Sequence, residues 1–136
     1  MSQAIVDALI AGWNDGNLDG LDAALDANYV RKAPAALNSD AASLAEFKEV
    51  VTKFRGAFPD AHVTIDEVHY IDNRAFFRWT FTGTNTGPGD FPVTGKAVSV
   101  SGSTHCRFSG GKLTEELVFF DSLDMLIQLG LAEAPS

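Results

Sequence analysis

A chain of 136 residues, 46% hydrophobic and 21% charged, has the length and composition of one globular domain, here residues 1–136, with enough apolar surface to bury a core. Eighteen acidic against ten basic residues give a formal charge of −8. With no Lys/Arg cluster to neutralise a phosphate backbone, nucleic acid is excluded as the expected partner.

The lone cysteine, Cys106, permits no internal disulfide and fits a reducing compartment. The N-terminal "MSQAIVDALIAGW" has no basic leader, and Asp7 interrupts its apolar residues. A cytoplasmic protein with no membrane partner is therefore expected. No GxGxxG or GxxxxGK[ST] loop is present, so the expectation is a protein without cofactor.

In chain order, Ile5, Leu9 and Trp13 recur every fourth residue and predict a first helix, closed by the turn residues "NDGN". Leu18, Leu21, Leu25 and Tyr29 repeat that spacing and predict a second helix running to "RKAP", where Pro34 stops it. "SLAE", residues 43–46, is a capping box. Leu44, Phe47, Val51, Phe54 and Phe58 then mark the face of a third helix that ends in "GAFPD". From residue 61 the period falls to two, and the runs 62–71, 75–83, 96–108 and 112–120, rich in β-branched and aromatic residues, predict four strands. Short turn-rich connections make these an antiparallel meander. "SLDMLIQLG" predicts a short closing helix with Gly130 at its C-terminal end. The expected fold class is α+β: N-terminal helices packed in the concave face of a strongly curved antiparallel sheet, with a ligand cavity between the layers.

Asp121 is the first candidate for chemistry. If the last strand alternates regularly, Leu117, Phe119 and Asp121 share its apolar face, and a desolvated carboxyl could both take and give a proton. The same residue opens "DSLD", where Asp is a favoured N-cap, although Ser122 could cap as well. His105 lies on the preceding strand. A two-residue Gly-Gly hairpin pairs it with Glu116 on the face away from Asp121, whereas one extra residue brings it to the face of Asp121. His62, His69 and His105 match no zinc spacing, so no metal is expected. Trp13, Tyr29, Phe54, Phe58, Trp79 and Phe119 are core candidates, some of which should line the cavity. Arg78 within "FFRWT" calls for solvent or an acidic partner, and an Arg-carboxylate pair in the cavity would suit water activation.

The runs "FPDAHVTID", "TGTNTG", "VTGKAVSVSG" and "GGKLTEELVFFDSLDMLIQLG" resemble, in order and spacing, the SnoaL-like polyketide cyclases of the nuclear-transport-factor-2-like superfamily. The resemblance implies a cone-shaped, cystatin-like α+β fold. It also implies a cofactor-free intramolecular aldol condensation with Asp121 as the acid/base aspartate, and a homodimer through the outer sheet face. His105 falls near a second polar site residue of that family, and Asn85 stands where many relatives carry histidine, at the expected pocket. The expected function is acid/base catalysis on a hydrophobic carbonyl compound, cyclase-like or isomerase-like. The alternatives are a non-catalytic small-molecule-binding domain and epoxide-hydrolase-like water activation.

Overall fold

A computed structural model describes residues 2–34 and 39–135. The elements are α1 (Ser2–Asp15), α2 (Asp19–Ala24), β1 (Leu25–Lys32), α3 (Leu44–Ala57), β2 (His62–Ile71), β3 (Arg74–Thr84), β4 (Ala97–Ser109), β5 (Lys112–Phe120) and α4 (Ser122–Gln128). Strands β2 to β5 form the expected antiparallel meander. β1 joins its β5 edge in parallel, so the sheet order is β1-β5-β4-β3-β2.

The helices lie against one face of the sheet because their apolar stripes have no other partner. Ile5, Val6 and Leu9 of α1 and Phe47, Val50 and Val51 of α3 are buried in one core with Ala75, Phe77 and Cys106 from the inner sheet face. Phe47 is fully buried, and truncating such a residue to Ala costs about 3 to 5 kcal/mol. The capping box acts as expected at its start: Ser43 Oγ accepts the Glu46 N–H at 3.2 Å. Asn14 fixes the end of α1 to the sheet, its amide exchanging two hydrogen bonds with the Val63 backbone at 3.0 and 2.6 Å. Arg55 of α3 donates to the carbonyls of Trp13 and Asn14, satisfying acceptors that the helix end leaves open.

Two features differ from the sequence reading. The second helix stops at Ala24, and residues 25–32, expected to be helical, form a fifth strand. Leu25 and Tyr29 are buried as a helical stripe requires. However, Asp26 Oδ1 accepts the Asn28 N–H at 2.9 Å, a local turn that competes with the helix. From Tyr29 onward alternate residues point inward, and β5 supplies a parallel partner.

The second difference sets the site. The hairpin turn is the tight Gly110-Gly111 pair, both with positive φ, which glycine adopts without strain. Ser109 pairs with Lys112 and Phe108 with Leu113, but Arg107 pairs with Glu115. Thr114 is therefore the extra residue of a β-bulge, and its hydroxyl donates to the Arg107 carbonyl at 3.2 Å. A bulge of one residue reverses the faces beyond it. Glu116, Val118 and Phe120 consequently point toward the helices, while Leu117 and Phe119 point outward, the opposite of the regular alternation expected for this strand.

Candidate functional site

Between the helices and the sheet lies a cavity of about 50 Å³. Trp13 of α1, Phe54 of α3, Trp79 and Phe81 of β3, Phe120 of β5 and Met125 of α4 form much of its apolar wall. The Trp79 indole N–H is already donated to Thr104 Oγ1 at 2.9 Å, so this wall presents ring surface. Among the described lining residues, the ionisable ones are Arg31 and Glu116.

Those two belong to a buried network assembled by the strand pairing. Parallel register sets Arg31 beside Glu116, and alternation along β1 turns Tyr29 inward with Arg31. Relative exposures are 0% for Tyr29, 2% for Glu116 and 6% for Arg31. The Tyr29 hydroxyl donates to Glu116 Oε1. Arg31 Nη1 donates to Glu116 Oε2 at 3.4 Å, and Arg31 Nε donates to the Ser39 carbonyl at 2.8 Å. The guanidinium lies 5.4 Å from the centre of the Trp13 ring and 5.6 Å from that of Phe47, an environment that suits a weakly hydrated cation.

The charge states follow from burial. Arginine keeps its proton, and an uncompensated charge at this depth is expensive, so Glu116 is the carboxylate that balances it. Burial first, and the Glu116 charge second, hold the Tyr29 phenol well above its ordinary range, which keeps it a hydrogen-bond donor. Burial, followed by the same carboxylate, also pushes up the Cys106 thiol behind the network. The arrangement is a carboxylate held by two donors and opening onto an apolar cavity, which can take a proton from a bound molecule and return it.

Of the residues singled out from sequence, Trp13, Phe54 and Trp79 line this cavity, and Tyr29 stands behind it on Glu116. The others lie elsewhere. Asp121 is exposed and caps α4, its Oδ1 accepting the Asp124 N–H at 2.9 Å; the bulge leaves it outside the cavity lining. Phe119 is 52% exposed on the outer sheet face. His105 pairs with Leu117 on that same face, stacked on Phe76 at 4.3 Å. Burial, then the charges of Arg74 and Arg107, hold its imidazole below the ordinary value, with Glu115 opposing. Thus the hairpin is the two-residue turn, yet the bulge gives the pairing expected of a longer one.

Phe58 is fully buried against Phe81 and Phe91, outside the cavity lining. Asn85 is buried but faces its own loop, donating to the Pro92 carbonyl at 2.9 Å and to Thr94 Oγ1 at 3.2 Å. Arg78 is exposed, paired with Asp66 and Glu67 on the outer sheet face, so it supplies no charge to this cavity. His62 is exposed, and His69 contacts Glu67 on the surface. Among the described residues no three of His, Cys, Asp and Glu come together to hold a metal, and no helix is long and apolar enough to cross a membrane. Arg31 and Glu116 were missed because one sat in a segment read as helix and the other on a strand read one residue out of phase.

The model of the SnoaL-like polyketide cyclase family matches residues 3–129. The chain belongs to that family. This SnoaL-like protein is similar to several solved structures over nearly its whole length. TsrD from Streptomyces laurentii is 23% identical, with 96% of each chain covered and a TM-score of 0.85. A candidate polyketide cyclase from Acidithiobacillus ferrooxidans is 28% identical, with 94% of this chain and 93% of that one covered and a TM-score of 0.79. A protein with a ketosteroid-isomerase-like fold from Catenulispora acidiphila, solved with trimethylamine, is 19% identical, with 96% of this chain and 97% of that one covered and a TM-score of 0.79. These likenesses establish the α+β fold of the nuclear-transport-factor-2-like and ketosteroid-isomerase-like proteins. No curated protein matches the SnoaL-like chain in sequence.

Proposed function

We propose that this SnoaL-like protein is an acid/base enzyme acting on a small hydrophobic carbonyl compound, with Glu116 as the proton carrier. The observation that carries the reading is the buried Glu116 carboxylate, held by Tyr29 and Arg31 at the edge of an otherwise apolar cavity. Glu116 takes the proton from the carbon next to the carbonyl; the C–H electron pair becomes the new C–C double bond, and the carbonyl π pair moves onto the oxygen. Arg31 supplies positive charge beside the enolate. With an unsaturated ketone, return of the Glu116 proton to the far carbon of the dienolate gives isomerisation. Attack of the enolate on a second carbonyl, whose π pair moves onto its oxygen and takes the Glu116 proton, gives the ring closure of a cyclase. Tyr29 is a positioning residue that fixes the Glu116 rotamer. The reaction as drawn needs no metal or cofactor.

The test requires no knowledge of the natural substrate. In D₂O the enzyme should speed exchange of the methyl protons of acetophenone, followed by proton NMR, and Glu116→Gln should abolish the acceleration. Equal exchange by folded Glu116→Gln would overturn the reading. Binding of acetophenone without exchange would point to the non-catalytic binding domain.

One observation also favours water activation: an Arg-carboxylate pair does meet inside the cavity, with Arg31 and Glu116 in place of Arg78. A water held by Glu116 could open an epoxide, and hydrolysis of styrene oxide in ¹⁸O water would reveal it by the mass of the diol.

For assembly we propose a homodimer through the outer sheet face, where Phe76, Leu117, Phe119 and His105 line a groove of about 290 Å³. Phe119 is 52% and Phe76 39% exposed there, and a second copy would bury a matching patch by two-fold symmetry. Sedimentation should give a dimer at micromolar concentration, with Phe119→Lys shifting it to monomer; a wild-type monomer would rule this out.

A further inference from the structure

We infer that the cavity selects uncharged molecules no larger than about one ring that carry a single hydroxyl-type head group, and that the balance between Arg31 and Glu116 sets this selectivity. The inference rests on the reading of Glu116 as the ionised group of the site, and its tests read binding rather than turnover.

Three observations lead to it. Among the described residues the ionisable lining groups are one cation and one anion, 3.4 Å apart and both more than nine-tenths buried, so together they balance electrically. A carboxylate ligand would add a second negative charge beside Glu116, and an ammonium ligand a second positive charge beside Arg31; either would be buried without a counter-charge. A neutral head group meets no such penalty. It meets an acceptor in Glu116 and a donor in Arg31, and the group that serves both at one atom is a hydroxyl, as in a phenol or an enol. The enol is also the species that proton transfer to and from a small ketone creates.

The second observation is the separation of polarity. Arg31 and Glu116 stand on β1 and β5, whereas Val63, Phe81, Val100 and Met125 are apolar and Trp79 has its N–H bound to Thr104. A ligand therefore finds hydrogen bonds at one end and carbon elsewhere. The third is size. At about 50 Å³ the cavity is well below the roughly 150 Å³ of an engineered apolar cavity that takes benzene. Even one ring requires some wall to yield, and Met125, an unbranched thioether on the short α4, is the side chain best able to do so. Three fused rings would displace wall residues from both the sheet and the helices.

The test is a ligand series read by quenching of Trp13 and Trp79 fluorescence and by calorimetry. The members are p-cresol, 4-methylbenzoate and 1-hydroxyanthraquinone. p-Cresol should bind at least about tenfold more tightly than 4-methylbenzoate, as expected when the acid brings an uncompensated charge, and 1-hydroxyanthraquinone should bind no better than p-cresol. Glu116→Gln leaves the Arg31 charge unmatched, so that variant should reverse the order and prefer 4-methylbenzoate. Equal or tighter binding of 4-methylbenzoate by the wild type, tighter binding of the three-ring compound, or an unchanged order in folded Glu116→Gln would each overturn the inference. If Glu116→Gln does not fold, the wild-type series alone decides. Failure of acetophenone exchange alongside this binding order would remove the base reading and leave the selectivity standing.

Discussion

Replacing the buried network by carbon should cost little stability, whereas breaking it should cost a great deal. At 3.4 Å and an effective dielectric near 20, the attraction between Arg31 and Glu116 is roughly 5 kcal/mol. Desolvation of two ions at this depth opposes it with a penalty of several kcal/mol per ion. Glu116→Leu removes the attraction and keeps the desolvated Arg31 cation, so it should lose about 3 to 5 kcal/mol, or roughly 10 to 17 °C in Tm for a chain of this length. The triple variant Tyr29→Phe/Arg31→Met/Glu116→Leu removes the charges and the phenolic hydroxyl together. It leaves the Ser39 carbonyl as the acceptor that loses a partner. It should unfold within about 1 to 2 kcal/mol of the wild type, or above it. Urea titrations with an unchanged m value would measure both differences. A triple variant as unstable as Glu116→Leu would mean that the network is a structural requirement of the fold and would refute this reasoning.

Two further expectations follow from the same geometry. Deleting Thr114 removes the bulge residue and leaves Leu113, Glu115 and Glu116 in regular alternation on their present β4 partners. That chain should keep Glu116, Val118 and Phe120 toward the helices and retain a cooperative urea transition; loss of the transition would show that the faces of β5 are not set by this one extra residue. Because the folded state holds the Tyr29 proton above the pKa of a free phenol, stability is fully present below about pH 10 and falls as pH rises beyond it. Tyr29→Phe should flatten that alkaline limb in thermal scans, and an unchanged limb would show that another group causes it.

Much of the fold is legible in the residues because the signals are local and strong. Ser43 and Glu46 announce α3, and Gly110 and Gly111 announce the hairpin. The runs from His62 to Phe120 carry the alternation and β-branched content of a meander. The site is less legible because two non-local features build it. β1 is a strand through its pairing with β5, while Leu18, Leu21 and Leu25 keep a helical spacing. The bulge at Thr114 is a one-residue shift that no alternation pattern reveals, and it decides which of Glu116 and Asp121 faces the helices. The aromatic walls Trp13, Phe54 and Trp79 were readable because their side chains belong to elements whose phase was read correctly.

If Glu116 carries the proton, the helix-capping Asp121 should be dispensable for it. The most direct measurement compares acetophenone proton exchange in D₂O for Glu116→Gln and Asp121→Asn. Glu116→Gln should lose the acceleration, by about 10² to 10⁴ if general base catalysis has its usual size, while Asp121→Asn, which can still cap α4, should exchange at the wild-type rate. Loss of exchange in Asp121→Asn with Glu116→Gln unaffected would contradict the assignment of the proton to Glu116.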